Sequence, residues 1–231
     1  MTIGPSVYWY LTRATGAVAL VLLTLSVVVG VAAVGRVHSR LWPRFVVDGV
    51  HRSSSLLAVA FVLVHIVTSV LDGFAPIAWL DAVIPFAGAY RPLWLGLGAV
   101  SFDLLLAVLI TSLMRARLGY AGWRAVHWLA YASWPVALIH GFGTGSDVNQ
   151  AWMLLISIAC TATVLVSVVA RVIIGWPAQL RLRLSALGAA ALFALGLVAW
   201  LPGGPLGKHW ARRAGTPKSL LAPHASPGGS A

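Results

Sequence analysis

Six long apolar runs, separated by short connections rich in Pro, Gly and charged residues, leave this chain one environment in which to fold. They lie at about Val7–Val34, His51–Leu71, Leu93–Leu113, Gly122–His140, Ala151–Ile174 and Leu184–Leu201. Crossing a bilayer takes about 20 apolar residues in a helix. Only 9% of the 231 residues are charged, against about 25% in soluble domains, so a water-facing surface could not be covered. The expected fold is an all-α integral membrane protein, a six-helix bundle over residues 1–201. A basic Gly/Pro/Ser-rich tail, 202–231, is expected to lack fixed structure. The first eleven residues carry no Lys or Arg, so the first run reads as a span and not as a cleaved signal peptide.

The net charge of +11 comes from 16 Lys and Arg against 5 Asp and Glu. These basic residues sit between apolar runs, which argues for topology and lipid contact and against nucleic acid. Loops one, three and five hold Arg36, Arg40, Arg44 and Arg52, then Arg115, Arg117 and Arg124, then Arg171, Arg181 and Arg183. Loops two and four hold Asp72, Asp81 and Arg91, then Asp147. The positive-inside rule makes the odd loops cytoplasmic and both termini extracytoplasmic. Lys208, Arg212, Arg213 and Lys218 in the tail run against that assignment.

Of seven histidines, His38 lies in a loop and His209 and His224 in the tail, and all three are expected to face solvent. The other four form two pairs: His51 and His65 on the second run, His127 and His140 on the fourth. Ionisable residues inside a membrane are costly and need a reason. The intervals are 14 and 13 residues, about 21 and 19.5 Å along an ideal helix. Both runs leave the cytoplasmic side, so His51 and His127 share an inner depth and His65 and His140 an outer one. Two facing helices with a histidine at equal depth can fill both axial positions of a haem iron. Zinc needs four ligands at one centre, which two levels about 20 Å apart cannot supply. A haem-free transporter or scaffold, using the histidines for protons or packing, is a reading of another class. Helical phase is uneven: fourteen residues end about 40° from a full turn, thirteen about 140° from one. Pro135 lies between His127 and His140 and removes the bond to the carbonyl of Tyr131, so a distortion is expected there.

On these residues the chain resembles the ferric reductase-like transmembrane domain family. That family includes the membrane parts of ferric reductases and NADPH oxidases and the haem subunit of the methionine sulfoxide reductase system. Trp9-Tyr10-Leu11-Thr12-Arg13, Leu71-Asp72-Gly73-Phe74-Ala75-Pro76 and Trp123-Arg124-Ala125-Val126-His127-Trp128 are similar to actinobacterial members. The resemblance spans about residues 7–200. It implies a bacterial cell membrane location and two b-type haems between the second and fourth helices, the inner on His51 and His127 and the outer on His65 and His140. It implies electron transfer to an extracytoplasmic acceptor, as a ferric reductase-like oxidoreductase component or as a subunit feeding a periplasmic enzyme. These residues carry no Gly-rich dinucleotide fingerprint, so a separate flavoprotein reductase or a quinol is the expected donor.

Arg13, Arg52, Arg91 and Arg124 are candidate partners for haem propionates, since Arg suits bidentate carboxylate contact. Asp103, the one acid well inside a span, is expected to pair with Arg13. Trp128 and Trp134 are candidates to pack on a haem face, with ordinary core packing as the other reading.

Overall fold

The structure, a computed structural model, describes residues 6–34, 43–174 and 180–221. Its helices are α1 (Val7–Val34), α2 (Arg44–Leu71), α3 (Pro92–Leu113), α4 (Arg115–His127), α5 (Ala130–Thr144), α6 (Ala151–Ile174) and α7 (Leu180–Gly203), then the short turns α8 (Trp210–Arg213) and α9 (Lys218–Leu221). Among the described residues there is no strand. Five helices, α1, α2, α3, α6 and α7, are long and apolar enough to cross a membrane. Their outward faces expose Leu155, Ile158, Val166, Leu192, Leu195 and Val198, a surface that hydrocarbon solvates and water does not. This is an integral membrane helical protein.

The second helix begins at Arg44, seven residues before the expected start at His51. The fourth run is not the single span Gly122–His140 expected from sequence. It is divided at Trp128–Leu129 into α4 and α5, and α5 runs on to Thr144. Gly119 interrupts α4 at φ 68°, a conformation that a Cβ would strain.

The core is built from Leu20 and Leu23 of α1, Ala58 of α2, Trp134, Leu138 and Phe142 of α5, Cys160 of α6 and Leu197 of α7. α2 packs along α1, and α5 packs along α3 and against α1, while no comparably extensive packing joins α2 to α4 or α5. Polar side chains tie helices where hydrocarbon offers no alternative partner. Ser101 donates to the carbonyl of Ser133 at 3.0 Å and Ser133 to that of Ser101 at 3.1 Å. The Trp134 indole donates to Thr24 Oγ1 at 2.8 Å.

The helix starts and stops gather at two ends. At one end, Ser6 ahead of α1 bonds Asp72 after α2, and Arg13 of α1 pairs with Asp147 between α5 and α6. Residues 202–221 close over this same end. Composition suggests that they lack structure, yet Trp210 packs on Trp94 at 5.1 Å between ring centroids, and Trp94 stacks on Trp200 at 5.0 Å. Arg213 bonds the carbonyl of Gly203 at 2.7 Å, supplying a donor to a helix end that has none of its own. Buried aromatic area and capped carbonyls thus order a segment whose average composition is that of a linker. The expected disorder of 222–231, the basic loop with Arg36, His38 and Arg40, and His224 all lie outside the described residues.

Candidate functional site

The two histidine pairs meet. The rings of His51 and His127 face each other with centroids 6.2 Å apart, and those of His65 and His140 at 6.3 Å. Both pairs are steeply inclined, at 71° and 85°. The helices that carry them, α2 on one side and α4 with α5 on the other, otherwise stand apart.

The second pair is brought into phase by local overwinding. Leu129, Tyr131 and Ala132 donate to carbonyls three residues back, at 2.9, 3.1 and 3.0 Å, and Trp128 and Leu129 have ψ of −23° and −22°. This is 3-10 geometry, which turns about 120° per residue where an α-helix turns about 100°. Overwinding has the sense needed to reduce the roughly 140° that an ideal helix lacks. The larger rise of these turns also lengthens the His127–His140 interval beyond the ideal value of about 19.5 Å, toward the value of about 21 Å on α2. The distortion lies one turn ahead of Pro135, whose ring crowds the preceding turn and whose missing N–H frees the Tyr131 carbonyl.

Three imidazoles are seated by backbone. Nδ1 of His65 bonds the carbonyl of Thr12 at 2.8 Å, that of His51 the carbonyl of Ser26 at 3.0 Å, and that of His140 the carbonyl of Trp94 at 2.9 Å. A carbonyl only accepts, so Nδ1 carries the proton and Nε2 keeps its lone pair. Four residues beyond each carbonyl stands a glycine against the same ring: Gly16 at His65, Gly30 at His51 and Gly98 at His140. A Cβ there would lie 3.0, 3.2 and 2.5 Å from the respective Cε1 atoms, so each glycine is the notch that admits the imidazole. The sequence carried a signal for this: Gly16 and Gly30 are 14 residues apart, the interval of His51 and His65. Gly98 had no such mark.

The arrangement can hold one metal ion between each pair. A metal–imidazole bond of about 2.0–2.1 Å, with the nitrogen about 1.1 Å from its ring centre, puts two opposed imidazole centroids about 6 Å apart. Among the described residues no three His, Cys, Asp or Glu side chains gather as a metal group.

The four arginines are placed differently. Arg52 and Arg124 are exposed, close in sequence to His51 and His127. Arg13 pairs with Asp147, not with Asp103 as expected, and lies over the Trp9 ring at 3.7 Å. Asp147 sits on the loop beyond α5, at the end of the bundle where Arg13 emerges from α1. Among the described residues Asp103 has no ion pair. Arg91 is buried, and its guanidinium bonds the carbonyls of Gly143 and Thr144 at 2.9 and 3.1 Å and Thr216 Oγ1 at 2.9 Å. It caps α5 just beyond His140 and ties the 202–221 segment to that end. Burial pulls its pKa below the usual arginine value and pushes the neighbouring Tyr90 hydroxyl up. Trp134 is a core residue, and Trp128 is exposed.

A multi-pass helical membrane protein with two levels of paired histidines is the class that fold and site define. Residues 15–138 match the family model described as ferric reductase like transmembrane component. The match covers more than half of the chain, and the chain belongs to that family. It takes in His51, His65 and His127 and stops two residues short of His140. Family membership points in general to electron transfer across a membrane, and members usually bind haem. Comparison with curated proteins and with solved structures gives no match.

Proposed function

We propose that this chain carries electrons across the bacterial cell membrane through two b-type haems, one held by His51 and His127, the other by His65 and His140. The observation that carries this reading is the pair of imidazole sets whose ring centroids lie 6.2 and 6.3 Å apart, the centroid separation that two imidazoles sharing one metal would have. A haem supplies reversible one-electron chemistry at its iron. His51, His127, His65 and His140 would hold the haems, and the protein sets the tautomer of three of these imidazoles and surrounds them with a low-dielectric bundle. Thr12, Ser26 and Trp94 fix the Nδ1 proton on three of the ligands, and Arg52 and Arg124, next in sequence to the inner pair or close to it and without an ion pair among the described residues, suit propionates. Arg13 and Arg91 have protein partners and hold the outer end together.

In this reading six segments cross, with α4 and α5 together making the fourth. Loop charge puts the His51/His127 level on the cytoplasmic side and both termini outside. Electrons enter at that level from a separate flavoprotein reductase or a quinol. They leave at the His65/His140 level, under the 202–221 segment, to an extracytoplasmic acceptor. With two histidines holding each haem, the acceptor would be reduced by outer-sphere transfer or on a partner protein.

The test is a reduced-minus-oxidised spectrum of the purified protein beside His65→Ala. Wild type is expected to show b-type bands and the variant to keep part of them. A wild type without a Soret band would end the haem reading in favour of a haem-free transporter or scaffold.

A further inference from the structure

Lys208, Arg212, Arg213 and Lys218 fall on the side of the membrane where the positive-inside rule expects few basic residues. The ordered 202–221 segment gives part of this charge a setting. Between residues 205–211 and the α5–α6 loop lies a cleft of about 360 Å³, walled by Arg91, Ser146, Asn149, Lys208, His209 and Trp210. That volume is at the small end of the range for ligand pockets, about 300–1,000 Å³.

The polar groups of the cleft are cations and neutral donors. Among the described residues no Asp or Glu lines it. Asp147 lies in sequence between the lining residues Ser146 and Val148, but it is buried and its carboxylate pairs with Arg13. Lys208 and His209 are exposed and have no ion pair among the described residues. His209 is held at φ 61°, a left-handed conformation that a side chain enters at a cost. Arg91 uses Nε on Thr216 Oγ1 and Nη1 on the carbonyls of Gly143 and Thr144, and among the described residues Nη2 has no hydrogen-bond partner. Ser146 and Asn149 add a hydroxyl and an amide that can donate. A cleft lined by one sign of charge focuses its field and concentrates ions of the other sign.

The cleft also adjoins the outer histidine level. The Trp210 indole donates to the carbonyl of Gly143 at 3.2 Å, and Gly143 is three residues, about 4.5 Å of helix rise, beyond His140. The Trp210 ring lies 5.1 Å from that of Trp94, whose carbonyl receives Nδ1–H of His140.

We propose that this cleft is the docking site for a small, multiply charged anionic electron acceptor. The proposal rests on the electron-transfer reading above. One electron leaves the His65/His140 level and one arrives on the bound acceptor. No bond forms or breaks and no proton moves.

The test has a binding arm and a transfer arm, both on the full chain in detergent. Citrate, a multiply charged anion that takes no electron, is titrated calorimetrically. Wild type is expected to bind it, and Lys208→Glu to bind roughly 10-fold more weakly or worse. Lys218→Glu makes the same charge change on the same segment outside the cleft and should bind citrate as wild type does. For transfer, dithionite-reduced holoprotein freed of excess reductant is mixed in stopped flow with ferricyanide, an anion, or with tris(phenanthroline)cobalt(III), a cation. The ratio of the two oxidation rates is expected to fall roughly 10-fold or more in Lys208→Glu and to stay within about twofold of wild type in Lys218→Glu. Citrate should slow ferricyanide and spare the cobalt complex. Absence of citrate binding to wild type overturns the proposal. So does a rate ratio unchanged in Lys208→Glu, or one shifted as far in Lys218→Glu, which would mean a general surface field. A purified protein without haem overturns the underlying reading instead, while the citrate titration still decides the anion site.

Discussion

Gly98→Ala would put a methyl group 2.5 Å from both Cε1 and Nδ1 of His140. Carbon contacts settle at about 3.5–4.0 Å, so the ring has to recede by about 1 Å. The bond from Nδ1 to the Trp94 carbonyl is 2.9 Å long, and beyond about 3.5 Å it is no longer a hydrogen bond. The substitution therefore breaks it and leaves buried polar groups unpaired, at a cost of about 1–3 kcal/mol. Affinity at the His65/His140 level should fall roughly 10–100-fold. Gly16→Ala and Gly30→Ala provide a graded comparison, because their methyl groups would meet Cε1 of His65 and His51 at 3.0 and 3.2 Å. The expected order of haem loss is Gly98, then Gly16, then Gly30. Gly188→Ala, with nothing within 4 Å of its new Cβ, is the control and should gain about 0.5–1 kcal/mol of helix stability. Haem per protein, measured by the pyridine haemochrome method on detergent-purified variants, reads the series. Full haem content in Gly98→Ala, or equal loss in Gly188→Ala, would refute the notch argument.

Pro135→Ala restores a backbone donor and relaxes the overwound turn, so His127 should swing out of phase and the inner haem band should be lost while the outer one persists in reduced-minus-oxidised spectra. Arg91→Ala removes three hydrogen bonds of a buried cation, an expected loss of about 2–3 kcal/mol. It should free the 202–221 segment, making Lys208, Arg212 and Arg213 accessible to limited trypsin digestion. Asp147→Asn breaks the Arg13 pair and should lower stability by about 3 kcal/mol, whereas Asp103→Asn should leave it nearly unchanged. Thermal denaturation in detergent compares those two.

How far the sequence reaches is clear from particular residues. Apolar runs and turn residues placed α1, α3, α6 and α7 to within a few residues, because a membrane span is a local property of composition and length. The intervals His51–His65 and His127–His140 pointed to two facing pairs, because rise per residue is nearly independent of what a helix packs on. The phase problem of the fourth run was also legible, from thirteen residues and Pro135. Its solution, 3-10 turns at Trp128–Leu129, was not, because competing backbone hydrogen bonds differ by little energy and packing selects among them.

Tertiary structure decided the rest. Only the fold brings Arg13 to Asp147 and not to Asp103, since that choice depends on where the α5–α6 loop returns. Only the fold orders residues 202–221, because Trp210 is a linker residue until Trp94 and Trp200 stand beneath it. Only the antiparallel register of α1 on α2 and α3 on α5 turns Gly16, Gly30 and Gly98 into notches. The sequence by itself determined that four histidines would lie in a membrane bundle at two levels. Which carbonyls fix their rings, and which ring is left untied, depends on residues far apart in the chain, and such contacts exist only once the helices have packed.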